Sequence, residues 1–177
     1  MVCVYSPDKA ENCGFRTISM VTFSDQNRWQ EVKALMMKTY NKYKDTLYAN
    51  RVDDGGSFEK GLSCNLSLCP VDYWFNTIDH PQIAADAFGR AIVAFSKTSV
   101  DDTPHIQSSL FVPFVTNPMN MAAISIFLCH SHFYLIQAAT TKTGRQTKLP
   151  LPLINPYHKA AIKKFAAIYP IDFSITY

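Results

Sequence analysis

The stretch Asn12-Cys13-Gly14-Phe15-Arg16 decides how this chain is read, together with Ser131-His132-Phe133 about 120 residues later. Apolar Phe15, Ile18 and either Val21 or Thr22 predict a short buried helix that begins at or just before Cys13. A sulfur at a helix N-terminus meets unpaired amides and the positive end of the macrodipole. The Cys13 thiol is therefore expected to ionise more readily than the ordinary pKa of about 8.5 allows. His132 opens a predicted strand directly after the tight link Cys129-His130-Ser131. A thiol and an imidazole separated in sequence, each at the mouth of an element, form the pattern expected of a nucleophile and its base. A buried, inert cysteine is the commoner use of the residue, so the segments around the pair carry the decision.

Working outward, Ser24 or Asp25 is placed to cap a long helix in which Trp29, Val32, Met36, Tyr40, Tyr43 and Leu47 recur at steps of three and four. That stripe is read as core. Residues 50–61, with Asp53, Asp54, Gly55, Gly56 and Gly61, read as a flexible polar loop, and residues 62–70 carry no clear period. Asp79 through Phe88 is a predicted helix with a capping acid, Pro81 in its first turn and Gly89 as its stop; His80 is read as a surface residue near that cap. Strands are predicted at 91–95, 106–114, 123–128 and 133–138. Residues 97–105, Thr116-Asn117-Pro118 and the Cys129-His130-Ser131 link separate them. Residues 1–12, with Ser6, Pro7, Asp8 and Lys9, read as an irregular lead-in, and Pro150, Pro152 and Pro156 precede a helix-like segment at 157–168. Helices first and strands last give an α+β fold with a mostly antiparallel sheet. The length of 177 residues fits one domain spanning 1–177, and 47% hydrophobic residues exclude a disordered chain.

A net charge of +3 from scattered basic residues lacks the dense stripe with interleaved aromatics of a nucleic-acid binder. Five cysteines without a Cys-x-x-Cys, and a start lacking a basic and an apolar signal region, point to a reducing, cytoplasmic setting. Cys64 and Cys69 alone make at most half a zinc site, so neither metal nor cofactor is expected. The longest apolar run, near Ala122, falls far short of the roughly 20 residues a membrane span needs.

The order of several segments matters more than any one of them. Asn12-Cys13-Gly14-Phe15-Arg16, Ser24-Asp25-Gln26-Asn27-Arg28-Trp29, Tyr73-Trp74, Ile83-Ala84-Ala85-Asp86-Ala87-Phe88-Gly89-Arg90, Ile92-Val93-Ala94-Phe95-Ser96 and Ser131-His132-Phe133, in that sequence, resemble the ovarian-tumour (OTU) family of cysteine proteases. The wording is most similar to a branch found in fungal and mobile-element proteins, which reads Asp-Gly-Asn-Cys-Gly-Phe-Arg. The resemblance covers about residues 6–165. It implies a papain-like fold with about five strands packed between helices, and a metal-free deubiquitinase that hydrolyses the isopeptide bond after the C-terminal glycine of ubiquitin. The expected partner is ubiquitin or polyubiquitin, or a ubiquitin-like modifier, bound by a monomer that engages neither nucleic acid nor membrane.

On this reading Cys13 is the nucleophile and His132 the general base. The backbone amides of Ala10, Glu11 and Cys13 hold the oxyanion. The chain departs from the family's wording at two places. Ala10-Glu11 stands where Asp-Gly is usual, and the positions around His132 that often hold the orienting Asp or Asn hold His130 and Tyr134. His130 is the chosen orienting residue, with Tyr134, Asn12 and Asp8 as alternatives. Glu11 and Phe133 are the candidate walls of a narrow channel for a Gly-Gly tail, and the resemblance places the ubiquitin docking surface within residues 45–70 and the loop at Asp101-Asp102. The second reading is a catalytically silent ubiquitin-binding module of the same fold.

Overall fold

The computed structural model describes residues 2–8, 11–48, 57–100, 103–114 and 122–137. Phe15 and Ile18, fully buried, turn the first helix, α1 (Cys13–Phe23), into the centre of the core. Ser24 ends it in the left-handed conformation and returns its amide to the Met20 carbonyl. Asp25 then opens a 3-10 turn, Gln26–Arg28, with its carboxylate accepting from the Asn27 amide, before α2 (Trp29–Tyr43) begins. The predicted stripe holds: Trp29, Val32 and Met36 are buried, and Tyr40, Tyr43 and Leu47 pack on the core's edge. Leu47 does so from beyond the helix, in a turn whose amides bond back to the Tyr43 carbonyl.

Two expectations for the middle of the chain are corrected. Ser57–Ser63 forms a short helix, α3, where a loop reaching residue 61 was expected. His80, expected at the surface, is 1% exposed. It begins α4 (His80–Phe88), which Gly89 closes in the left-handed conformation as expected. The His80 ring stacks on Phe75, meets Phe15 edge-on and accepts the Asn76 amide at Nδ1. The side chain of Asn76 caps the turn by accepting from Ile78, Asp79 and His80, so the chain folds back over the ring.

Among the described residues the sheet has five strands in the order β1-β5-β4-β2-β3. They are β1 (Val2–Tyr5), β2 (Ile92–Val100), β3 (Thr103–Phe111), β4 (Ile124–Cys129) and β5 (His132–Gln137). All neighbours are antiparallel except β2 and β4, which run parallel. This is the expected α+β fold with a mostly antiparallel sheet and helices packed on it. Residues 97–100 and 103–105, expected in a separating loop, are strand: the β2–β3 ladder runs from Ile92↔Phe111 to Val100↔Thr103. The irregular lead-in contains a true edge strand, β1, on β5. Helix α1 packs on β5 and β4, α4 on β2 and β3, and α2 touches both helices. Among the described residues no helix is long and apolar enough to cross a membrane. The segments expected at Thr116-Asn117-Pro118, Asp101-Asp102 and 157–168 lie outside the described residues.

Burial, helped by the nearby Lys33 ammonium, pushes the His80 imidazole down to about 3. The unfolded chain takes up this proton below the ordinary value of about 6.5 and the native state does not, so the group's contribution is present above that pH and lost as pH falls toward 3. Urea unfolding between pH 6 and 4 should therefore lose up to about 1.4 kcal/mol per pH unit from this group, and His80→Gln should flatten the dependence.

Candidate active site

Cys13 is the first residue of α1 and is 4% exposed. Its sulfur sits among three backbone amides, those of Cys13, Gly14 and Phe133, each of which stabilises the thiolate. The Phe133 amide places the sulfur against the first residues of β5, one step from His132. Burial nevertheless outweighs the amides and pushes the thiol above its ordinary value, with the nearby Glu11 carboxylate adding a small push in the same direction. The expectation of an easily ionised thiol is thus corrected. A helix mouth favours an anion, but here that mouth is closed off from water.

The closure has a clear origin. Gly14 lies so near the Phe75 side chain that a Cβ at residue 14 would overlap it. Phe75 in turn meets Phe15 edge-on at 5.1 Å and Phe133 edge-on at 5.2 Å. Phe133 is therefore a core residue, 3% exposed. Its expected role as a channel wall is corrected, since alternation along β5 turns the ring inward and leaves only its backbone amide at the sulfur.

The loop before α1 is anchored by Asn12, which is fully buried. Its Nδ2 donates to the Leu66 carbonyl at 3.1 Å. The next two contacts of the same kind come from α2: Gln30 Nε2 reaches the Asn65 carbonyl and Lys33 Nζ the Cys64 carbonyl at 2.7 Å. Three successive carbonyls thus accept from three side chains. Lys33 is itself buried over the faces of Phe15 and Trp29, and burial lowers its ammonium to about 8. Asp8 is committed elsewhere. It exchanges two hydrogen bonds with Gln26, backbone amide to Oε1 and Nε2 to carboxylate, and lies 4.0 Å from Arg16.

Cys129↔His132 is the last pair of the β4–β5 ladder, so His130-Ser131 is a two-residue hairpin turn with positive φ at both positions, 48° and 59°. The turn raises His132 at the start of β5, where it is 9% exposed and meets the Tyr134 ring edge-on at 4.7 Å. The turn holds His130 exposed, with Nδ1 3.3 Å from the Cys129 sulfur. Ser6 Oγ makes a hydrogen-bond contact with His132 Nε2, at 3.3 Å. Sequence reasoning passed over Ser6, and the signal that could have found it was the β-prone Val2-Cys3-Val4-Tyr5 run before it. Glu11 lies beside the site with Oε2 buried and without a hydrogen-bond partner among the described residues. Ala10 lies outside the described residues.

No family model and no curated protein sequence matches this chain. Solved structures do. The viral OTU domain protease from Dera Ghazi Khan virus aligns with a TM-score of 0.53 at 15% identity, covering 77% of this chain and 80% of its own. The OTU domain of OTUD1 aligns at 0.52 and 12% identity over 71% and 79%. The viral OTU domain protease from Qalyub virus gives 0.51 and 18% over 74% and 80%. The fold is that of an OTU domain.

Two outcomes test the site's construction. Gly14→Ala should destabilise the fold by about 1–3 kcal/mol through overpacking against Phe75, read as a lower urea midpoint with unchanged slope. The rate of Cys13 alkylation by iodoacetamide should rise with pH through a value above the ordinary thiol pKa, because only the thiolate reacts and burial delays its formation. A rate already at its plateau at pH 7 would contradict that assignment.

Proposed function

We propose that this chain is an OTU-type deubiquitinase, a cysteine isopeptidase acting after the C-terminal glycine of ubiquitin. One observation carries the reading: in an OTU fold, the sulfur of Cys13 sits at the mouth of α1 against the Phe133 amide, one residue from a buried imidazole. The wording Asn12-Cys13-Gly14-Phe15-Arg16 further supports the fungal and mobile-element branch.

The chemistry asked of these residues balances as follows. His132 takes the Cys13 proton as the sulfur attacks the glycine carbonyl, and the backbone amides of Ala10, Glu11 and Cys13 are the ones that would hold the oxygen that gains charge. The carbon–nitrogen bond breaks and the lysine amine leaves with the proton from His132. A water molecule then loses a proton to the imidazole, attacks the thioester and frees the glycine carboxylate and the thiol. With the free thiol's pKa raised, proton transfer to His132 is the step that creates the nucleophile. Substrate binding would also bring the acidic side chain of Glu11 near a basic residue of the ubiquitin tail and neutralise its opposition to the thiolate.

A docking surface is supported beside the site. The segment whose carbonyls are held by Asn12, Gln30 and Lys33 presents Leu66 and Leu68 to solvent, 64% and 76% exposed, next to Val71 at 67%. Apolar side chains on a backbone fixed from beneath suit a protein partner. The second reading, a silent ubiquitin-binding module, is favoured by the burial of the thiol and by Glu11 beside it.

Ubiquitin carrying a C-terminal electrophile separates the two. The enzyme forms a covalent adduct at Cys13, and Cys13→Ala or His132→Ala abolishes chain cleavage while both variants stay folded; Cys3, Cys64, Cys69 and Cys129 changed to Ser keep it. A wild-type chain that binds ubiquitin without forming an adduct is the silent module. Leu66→Arg with Leu68→Arg should raise KM for ubiquitin substrates by about tenfold or more, as hot-spot removal does, with kcat little changed.

A further inference from the structure

We propose that Ser6 is the positioning residue of His132, filling the place that a carboxylate or amide would otherwise take. The proposal rests on the reading of His132 as the general base. Its own basis is the register of the edge strand. Val2 pairs with Gln137 and Cys3 with Ile136, but Tyr5 pairs with Leu135, so one extra residue is accommodated between Cys3 and Tyr5. That bulge decides which way Ser6 points. Continued after the bulge, the register sets Ser6 across from Tyr134, on the face shared by Tyr134 and His132. Without it Ser6 would lie across from Phe133, whose side chain belongs to the core.

Three contacts agree with this placement. Ser6 Oγ lies 3.3 Å from His132 Nε2, and the Tyr134 ring flanks the same imidazole edge-on. Beyond Ser6 comes the buried Pro7, and the reciprocal bonds between Asp8 and Gln26 tie the chain to the 3-10 turn. The hydroxyl is thus held from both sides, by the bulge and by the Asp8 clamp.

The chemistry follows from which nitrogen is engaged. A hydroxyl oxygen accepting from Nε2–H keeps the proton there and makes Nδ1 the basic nitrogen of the neutral ring. When the ring becomes an imidazolium the same bond persists and becomes charge-assisted. A hydroxyl supplies a dipole and no charge, so it orients the ring while raising its basicity less than a carboxylate would.

The test uses the full chain and a fluorogenic C-terminal amide of ubiquitin. Ser6→Ala should lower kcat about tenfold with KM changed less than about twofold, the pattern of an interaction made in the transition state. Ser6→Thr should restore most of the rate. Ser6→Asp should move the acid limb of kcat/KM to higher pH by about one unit, and Ser6→Ala should move it lower. Long-range nitrogen–proton NMR of the His132 ring gives a readout that needs no turnover: the proton on Nε2 in wild type, with a lower ring pKa in Ser6→Ala. A wild-type ring protonated on Nδ1, or an Ser6→Ala variant with unchanged kcat, acid limb and ring pKa, overturns the proposal. If the NMR result is as expected and no ubiquitin substrate is cleaved, Ser6 still sets the ring and it is the isopeptidase reading that fails.

Discussion

The contact on which the rest of the molecule depends is the one between Gly14 and Phe75. Because residue 14 has no Cβ, the Phe75 ring reaches the mouth of α1, and from there it touches Phe15, His80 and Phe133 in turn. A helix end is ordinarily a place where water satisfies spare amides. Here an aromatic ring takes the water's place, and the strand carrying His132 is drawn against the helix carrying Cys13. The short spacing between the two elements is therefore a packing result, achieved by the smallest residue at a position where a larger one would collide.

The same closure sets the chemistry. Backbone amides at the helix mouth and from Phe133 favour the thiolate, yet burial of the sulfur weighs more, and the resting thiol is held protonated. A thiol held neutral in this way can act as a nucleophile only if a neighbouring group takes its proton. In this architecture the ring stands at the end of a two-residue hairpin with both turn residues at positive φ, a conformation that costs most side chains energy. A strained turn next to a buried histidine is well supported only if neighbouring strands fix it, which is what β1 and its bulge contribute.

The polar contacts beneath the site have a matching logic. Lys33 is buried with its ammonium on the Cys64 carbonyl and over two aromatic faces, and Asn12 and Gln30 take the next two carbonyls. An irregular segment cannot satisfy its own backbone, so side chains from α2 and from the start of α1 do it. Having its backbone satisfied from below, the segment is free to turn Leu66 and Leu68 outward.

The sequence by itself determined the elements whose signals are local. The start of α1 at Cys13, the apolar stripe of α2, the Pro81 and Gly89 boundaries of α4 and the tight link before His132 all follow from periods, caps and turn residues within a few positions. The resemblance read from the order of several segments is borne out at the level of the fold. What depends on partners far along the chain was decided only in three dimensions. His80 looks like a helix-cap surface residue until Phe15 and Phe75 close around it, and Phe133 has even odds of facing in or out until Phe75 is in place. The four residues of β1 become a strand only because β5 offers them an edge, and the contact of Ser6 with His132 spans 126 positions. A bulge of one residue reverses the face a side chain occupies, and no local propensity encodes where a strand laid against so distant a partner will slip by one.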